Sequence, residues 1–259
     1  GGSFDALLDV EGGAQQDRIV GGSQLLASRI AEDLADRVVT GAPVERITWT
    51  ADSVAVEAGG RAVSARRAVV TAPPPILAGI AFEPALPGTH ARLAARMPGG
   101  WLVKLAAVYD EPFWRDDGLS GEAVSLTGPV TVMFDNSPPS GAPGALTGFV
   151  GGSDAPGYAA LPAAERRRVA LACFARMFGP RAERAELFLE RDWAAEPWSL
   201  GGPVSIMGTG TLAELGPALR ESVGPLHWAG TERASVWCGY MDGAVRSGEE
   251  AAADVLREL

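Results

Sequence analysis

The chain is poor in the residues that build disulfide and metal sites. Two cysteines, Cys173 and Cys238, make neither a disulfide framework nor a zinc quartet, and the only histidines are His90 and His227. No metal site is expected. Lysine is scarcer still: Lys104 is the only one, and every other cation is arginine. With the abundant Ala and Gly, that bias points to a GC-rich, bacterial genome. Positive charge is also in deficit. The 22 basic against 32 acidic residues leave a net charge of -10, which offers no broad field for a phosphate backbone and excludes nucleic acid as an expected partner. An acidic surface suits a cationic small molecule, although acidity also serves solubility. No apolar run approaches the ~20 residues of a spanning helix, and no leader pattern opens the chain. The expectation is a cytoplasmic protein without a membrane partner.

What is present is a globular composition. The 259 residues are 47% hydrophobic, enough for one large domain or two lobes. Leu25, Leu26, Ile30 and Leu34 recur at helical spacing after Ser23, a candidate cap. Short alternating runs at 37–40, 44–50 and 53–57 read as strands of a meander. Ala68-Val-Val-Thr-Ala72 is an apolar strand that Pro73-Pro74-Pro75 must end. Further strands are expected at 102–109, 130–134, 145–150, 186–193 and 226–229. Helices are expected at 163–178, near 212–219, and at the C-terminus. The 163–178 helix is expected to turn Val169, Ala172, Cys173, Arg176 and Met177 to one side. The last helix shows a small-residue face of Ala244, Val245, Gly248, Ala251, Ala252, Val255 and Leu256. The fold class is α+β / α/β in two lobes.

Three features could carry chemistry. Trp228-Ala-Gly-Thr-Glu232 and Val236-Trp-Cys-Gly-Tyr-Met-Asp-Gly-Ala244 run from a strand through a Gly-rich turn into a helix. Such a junction gathers free N–H groups at the positive end of a helix dipole and favours an anionic ligand; an ordinary tight turn has the same pattern. Lys104 lies mid-strand among apolar residues, either facing solvent or facing a cavity. Trp193, Trp198, Trp237 and Tyr240 serve either core packing or the walls of an apolar pocket. By contrast, Gly208-Thr-Gly210-Thr-Leu-Ala213 fits a relaxed dinucleotide fingerprint, but no clean buried strand precedes it and no βαβ unit follows.

An ordered set of blocks resembles the flavin-dependent amine oxidases of the monoamine oxidase and putrescine oxidase group. They are Gly12-Gly-Ala-Gln-Gln-Asp-Arg-Ile-Val-Gly-Gly-Ser23, Pro43-Val44, Val69-Val-Thr-Ala-Pro-Pro74, Phe82-Glu-Pro-Ala-Leu-Pro87 and Val103-Lys104. Tyr109-Asp-Glu-Pro-Phe-Trp-Arg115, Trp193, Trp198-Ser199, Ala229-Gly-Thr-Glu232 and Trp237-Cys-Gly-Tyr-Met-Asp-Gly-Ala-Val245 follow in family order. The resemblance implies the two-lobed FAD-dependent amine oxidase fold, without the N-terminal βαβ unit whose GxGxxG turn holds the FAD pyrophosphate. Residues 1–92 and 196–259 would belong to the FAD-binding lobe and 93–195 to a mixed-sheet substrate lobe.

The same resemblance implies roles. Lys104 would hold a water against the flavin and assist reoxidation by dioxygen, and Tyr240 would form one wall of the aromatic cage that orients the amine. Val44 would meet the adenine. Gly230, Thr231 and Glu232 would line the ribityl and phosphate side, with Gly239, Tyr240 and Met241 at the ring. Gln15 would sit on the substrate side, with Trp193, Trp198, Pro203 and Trp237 around the pocket. Gly202 stands where some members attach FAD through cysteine, so the FAD is expected to be non-covalent. Pro203 stands where the second cage tyrosine usually lies. The implied partners are an amine substrate, dioxygen, a missing N-terminal half or partner chain carrying GxGxxG, and a second copy in a homodimer. A non-catalytic binding module, or a related flavin oxidase acting on an amino acid or a biosynthetic intermediate, remain the alternatives.

Overall fold

The computed structural model describes residues 6, 12–14 and 16–259. The chain divides into two compact units, residues 1–96 with 207–259, and residues 97–206.

In the first unit, β1 (Val44–Trp49), β2 (Val54–Ala58) and β3 (Arg61–Ala65) form an antiparallel meander, and β5 (Ala81–Glu83) joins β1 in parallel. A second, parallel pair is made by β4 (Ala68–Val70) and β11 (Leu226–Trp228). Ile47, Val54, Val70, Val223, Leu226 and Trp228 form the core between them. Pro73 and Pro74 end β4 and open the short helix α2 (Pro74–Leu77). Proline suits a first helical position because the N–H it lacks would have had no partner there. Helix α3 (Gly88–Arg96) buries His90 and Leu93. Helix α1 (Gln24–Leu34) forms as the spacing predicts, but Ser23 makes no side-chain cap bond and none of its residues is buried.

The sequence expectation of a strand at 37–40 is corrected. Ala35–Arg37 form a 3-10 turn and the chain beyond runs extended without a partner strand. β3 was not anticipated, because every one of its residues is exposed and gives no apolar alternation.

In the second unit, β6 (Leu102–Tyr109), β7 (Ala123–Val124), β8 (Val132–Asp135), β9 (Gly144–Gly151) and β10 (Leu187–Asp192) form one antiparallel sheet in the order β10-β6-β9-β8-β7. Side chains alternate across β6. Val103, Leu105, Ala107 and Tyr109 are buried in the core, while Lys104 between them is exposed. A short helix α4 (Asp154–Ala159) leads into α5 (Ala163–Phe178), which buries Ala170, Leu171, Cys173, Phe174 and Phe178. Cys173 of the expected side lies in this core, and Val169 and Met177 pack against it. Phe174 and Phe178, one turn apart, are the largest apolar side chains available, and burying each contributes roughly 1.5–3 kcal/mol. They rotate Arg176 outward, where its Nη1 donates to the Thr127 carbonyl at 2.7 Å.

A backbone zipper closes this unit. Gly100 donates to Val204, Gly202 to Gly100, and Ile206 to Pro98, at 3.0, 2.8 and 2.7 Å. A Cβ on Gly99 would lie 2.0 Å from the Leu200 carbonyl oxygen, so the close approach needs glycine.

The chain ends in α6 (Thr211–Leu215), β11 and α7 (Met241–Glu258). No strand immediately precedes Gly208–Ala213 and Gly210 starts α6, so the fingerprint-like glycines belong to a loop. Helix α7 buries Gly243, Ser247 and Ala251; of the face predicted from its small residues, Ala251 is buried while Val245 and Leu256 are exposed. Among the described residues, no helix is long and apolar enough to cross a membrane.

Candidate active site

The first unit places the C-terminal turn at the carboxyl ends of a parallel strand pair, where open α/β sheets bind ligands. After β11 the chain turns at Gly230, whose φ of 126° and ψ of 161° fall in a region essentially restricted to glycine. Thr231–Arg233 then form a 3-10 turn. Three side chains fix this turn. The Thr231 hydroxyl donates to the Tyr240 carbonyl at 2.9 Å and accepts from the Gly239 amide at 2.7 Å. Ser247 accepts from the Gly230 amide at 2.9 Å. Arg233 donates to the Ala229 carbonyl at 3.0 Å.

Helix α7 starts at this turn. Tyr240 is its N-cap residue and provides no side-chain cap, so the first-turn amides of Met241, Asp242 and Gly243 have no intrahelical acceptor. A Cβ on Gly243 would lie 2.2 Å from the Trp237 carbonyl oxygen, so the helix start packs directly on the loop backbone. The carboxylate of Asp242 is engaged by Arg246 one turn later at 2.6 Å. Tyr240 is half-buried and meets Trp237 edge-to-face, ring centroids 5.3 Å apart at 79°. The structure therefore brings together Gly230, Thr231, Trp237, Gly239, Tyr240 and Met241, with buried Glu232 beside Arg233. Val44 stands elsewhere in this unit, at the start of β1 opposite Ala58.

Burial pulls the Arg233 guanidinium down to about 10, and the neighbouring Glu232 carboxylate partly offsets that. Its Cζ lies 5.4 Å from the Trp228 ring centroid. Trp228 also packs on His90, whose pKa burial lowers against the opposing pull of the Glu221 carbonyl.

The second unit holds the remaining residues. Lys104 lies on the solvent-facing side of β6, opposite Phe149 on β9 and Arg191 on β10. Its Nζ is 5.8 Å from the Phe149 ring centroid, within cation–π range. Trp193 directly follows β10. Its amide donates to Leu102 at 3.1 Å and its carbonyl accepts from Gly201 at 2.8 Å. Alternation places it on the same sheet face as Lys104. Gly202 lies against its ring, and Pro203 follows. Trp198 is 70% exposed in the same loop.

The sequence profile described as flavin containing amine oxidoreductase matches residues 1–256. The chain belongs to the flavin-containing amine oxidoreductase family. It is 45% identical over 258 residues to a protein of Mycobacterium tuberculosis named as a flavin-containing monoamine oxidase, covering 100% of this chain and 56% of that protein. Wild-type putrescine oxidase bound to putrescine superposes with a TM-score of 0.88 at 35% identity, covering 92% of this chain and 53% of that one. Cyclohexylamine oxidase from Brevibacterium oxydans gives 0.87 at 38% identity, covering 92% and 53%. The chain thus has the fold of the FAD-dependent amine oxidases and spans about half the length of the relatives it matches.

Gln15 lies outside the described residues. Ser247 and Arg233 were missed from the sequence. A serine recurring one turn after Gly243 on a small-residue helix face was the available signal for the first. Nothing marked Arg233, since an arginine after an acidic residue reads as a surface pair. The donor set fits a flavin: uncapped helix amides and a Gly-only turn suit an electron-rich edge, and an aromatic ring stands beside them.

Proposed function

We propose that this chain supplies the flavin-ring side and the substrate lobe of an FAD-dependent amine oxidase. That enzyme would oxidise an amine carbon–nitrogen bond to an imine, with dioxygen reduced to hydrogen peroxide. The observation that carries the reading is the Thr231–Tyr240 junction at the uncapped start of α7, in a chain of this family. FAD, when bound, supplies the two-electron redox chemistry. It would be held without a covalent link, since Gly202 offers no thiol.

The chain's own residues position and shield. The α7 amides would face the flavin's pyrimidine edge and favour negative charge there. The Gly230–Glu232 turn would line its ribityl and phosphate side, and Val44 the adenine. Tyr240, held by Trp237 and Thr231, would orient the neutral amine. Lys104 would present its ammonium, or a water it holds, toward dioxygen. Trp193, Trp198 and Pro203 would border the amine's path, and Gln15 its substrate side. Arriving deprotonated, the amine needs no general base from the chain. The pyrophosphate-binding GxGxxG turn would come from an N-terminal portion or partner chain.

The test is to purify the chain with the N-terminal portion of its relatives and FAD. A yellow complex that yields peroxide from a panel of alkyl and aryl amines supports the reading. A colourless complex supports a non-catalytic module, and peroxide from amino acids alone moves the substrate class.

A further inference from the structure

We propose that Arg233 is a positioning residue for the flavin cradle, acting through the backbone carbonyls that it ties together. The inference rests on the FAD reading above and assigns a part to a residue outside the expected site.

Arg233 is 97% buried, at 3% exposure, and a buried guanidinium is costly unless it is paired and hydrogen-bonded. Its hydrogen bonding is incomplete: Nε has no partner among the described residues. What it does bind is informative. Nη1 donates to Ala229, the residue before Gly230, at 3.0 Å, and lies 3.4 Å from the Ala72 carbonyl beyond β4. One nitrogen therefore spans the exits of both parallel strands. A Cβ on Gly230 would meet the same nitrogen at 3.4 Å, so the turn is moulded against the guanidinium. Trp228 covers one face of the group. Arg220 holds the other end, donating from Nε to the Arg233 carbonyl at 2.7 Å and from Nη2 to Ala234 at 3.2 Å. The two arginines fix the turn from its side-chain and backbone ends, while Ser247 fixes it from α7.

Methionine at 233 fills the apolar surroundings but makes none of the carbonyl bonds and removes the cation beside buried Glu232, a loss that costs stability. The tie between strand exits is lost with it.

The experiment compares wild type, Arg233→Met and Arg233→Lys as holoenzyme, the chain together with the N-terminal portion of its relatives. It reads the FAD dissociation constant, the flavin absorption and circular dichroism, and thermal unfolding. Hydrogen exchange at the Gly230 amide of the chain alone is followed in parallel. The expected result is FAD binding weakened about tenfold or more in Arg233→Met, with a changed flavin spectrum, faster Gly230 exchange and a lowered unfolding temperature. Arg233→Lys, which keeps a cationic donor, should stay within about threefold of wild type. Met binding FAD as wild type does, or Lys and Met losing affinity alike, overturns the proposal. Should Met fail to fold, Arg233→Gln is read against Lys by the same criteria. If wild type itself binds no FAD, the functional reading fails; the exchange comparison still decides whether Arg233 holds the turn.

Discussion

The hydroxyl of Thr231 sits between two backbone groups of the next loop, donating to Tyr240 at 2.9 Å and accepting from Gly239 at 2.7 Å. It bonds the turn after β11 to both Gly239 and the residue leading into α7. Valine has nearly the same shape and neither bond. Thr231→Val leaves the half-buried Gly239 amide without its acceptor, and should cost about 1–3 kcal/mol in urea unfolding. Tyr240 should also lose its fixed orientation. An unchanged unfolding midpoint would show that the hydroxyl is not what holds the loop.

The zipper between residues 98–100 and 200–206 makes a sharper prediction about Gly99, with Gly157 of α4 as its counterpart. Gly99→Ala places a methyl 2.0 Å from the Leu200 carbonyl oxygen, and backbone cannot rotate away as a side chain can. The loss should be about 3 kcal/mol, the upper end of overpacking costs. Gly157 in α4 has nothing within 4 Å of its Cβ position, so Gly157→Ala should stabilise by about 0.5–1 kcal/mol. Denaturant midpoints of the two variants should move in opposite directions.

These cases show what the sequence could and could not convey. Strands 102–109 and 226–228, and helix 163–178, were legible because their patterns are local. Faces were less so. On α5 Phe174 and Phe178 extend the core beyond the predicted side and leave its Arg176 exposed, and on α7 the predicted face buries Ala251 but exposes Val245 and Leu256. The apolar residues of α1 announced a helix but not that its apolar face would stay exposed. Gly230–Glu232 and Gly239–Met241, read from an ordered motif, meet in one junction. Ser247 meets Gly230 from 17 residues away and Arg233 reaches Ala72 as well as nearby Ala229, and the distant partners leave no local pattern.

His90 gives a pH prediction. Its imidazole is buried beside Trp228, ring centroids 5.4 Å apart, with Nε2 3.3 Å from the Glu221 carbonyl. Burial lowers its pKa more than that carbonyl raises it. The unfolded chain, with an ordinary value near ~6.5, then binds more protons than the folded one. The contribution is present above that value and is lost as pH falls through the depressed folded value. His90→Gln should remove this share of the slope between about pH 7 and 5, read from urea unfolding at each pH. Carboxylates depressed by arginine, such as Glu214, lose their contribution at lower pH, so the two effects separate.

Lys104 carries the prediction that bears most directly on the proposed reaction. Its ammonium stands on the open face of the sheet, over Phe149 and across from Arg191. A fixed positive charge there would stabilise negative charge developing on dioxygen, and would do little for a neutral amine giving up a hydride equivalent. Lys104→Met keeps the length and removes the charge. In stopped flow, the amine half-reaction should stay within a few-fold of wild type, while the dioxygen half-reaction slows by about tenfold or more, a barrier increase of ~1.4 kcal/mol. Lys104→Arg, retaining the cation with a different hydrogen-bonding geometry, should recover part of the second rate. Equal losses in both half-reactions would assign Lys104 to the packing of the sheet face instead, because a purely structural defect has no reason to distinguish an amine from dioxygen.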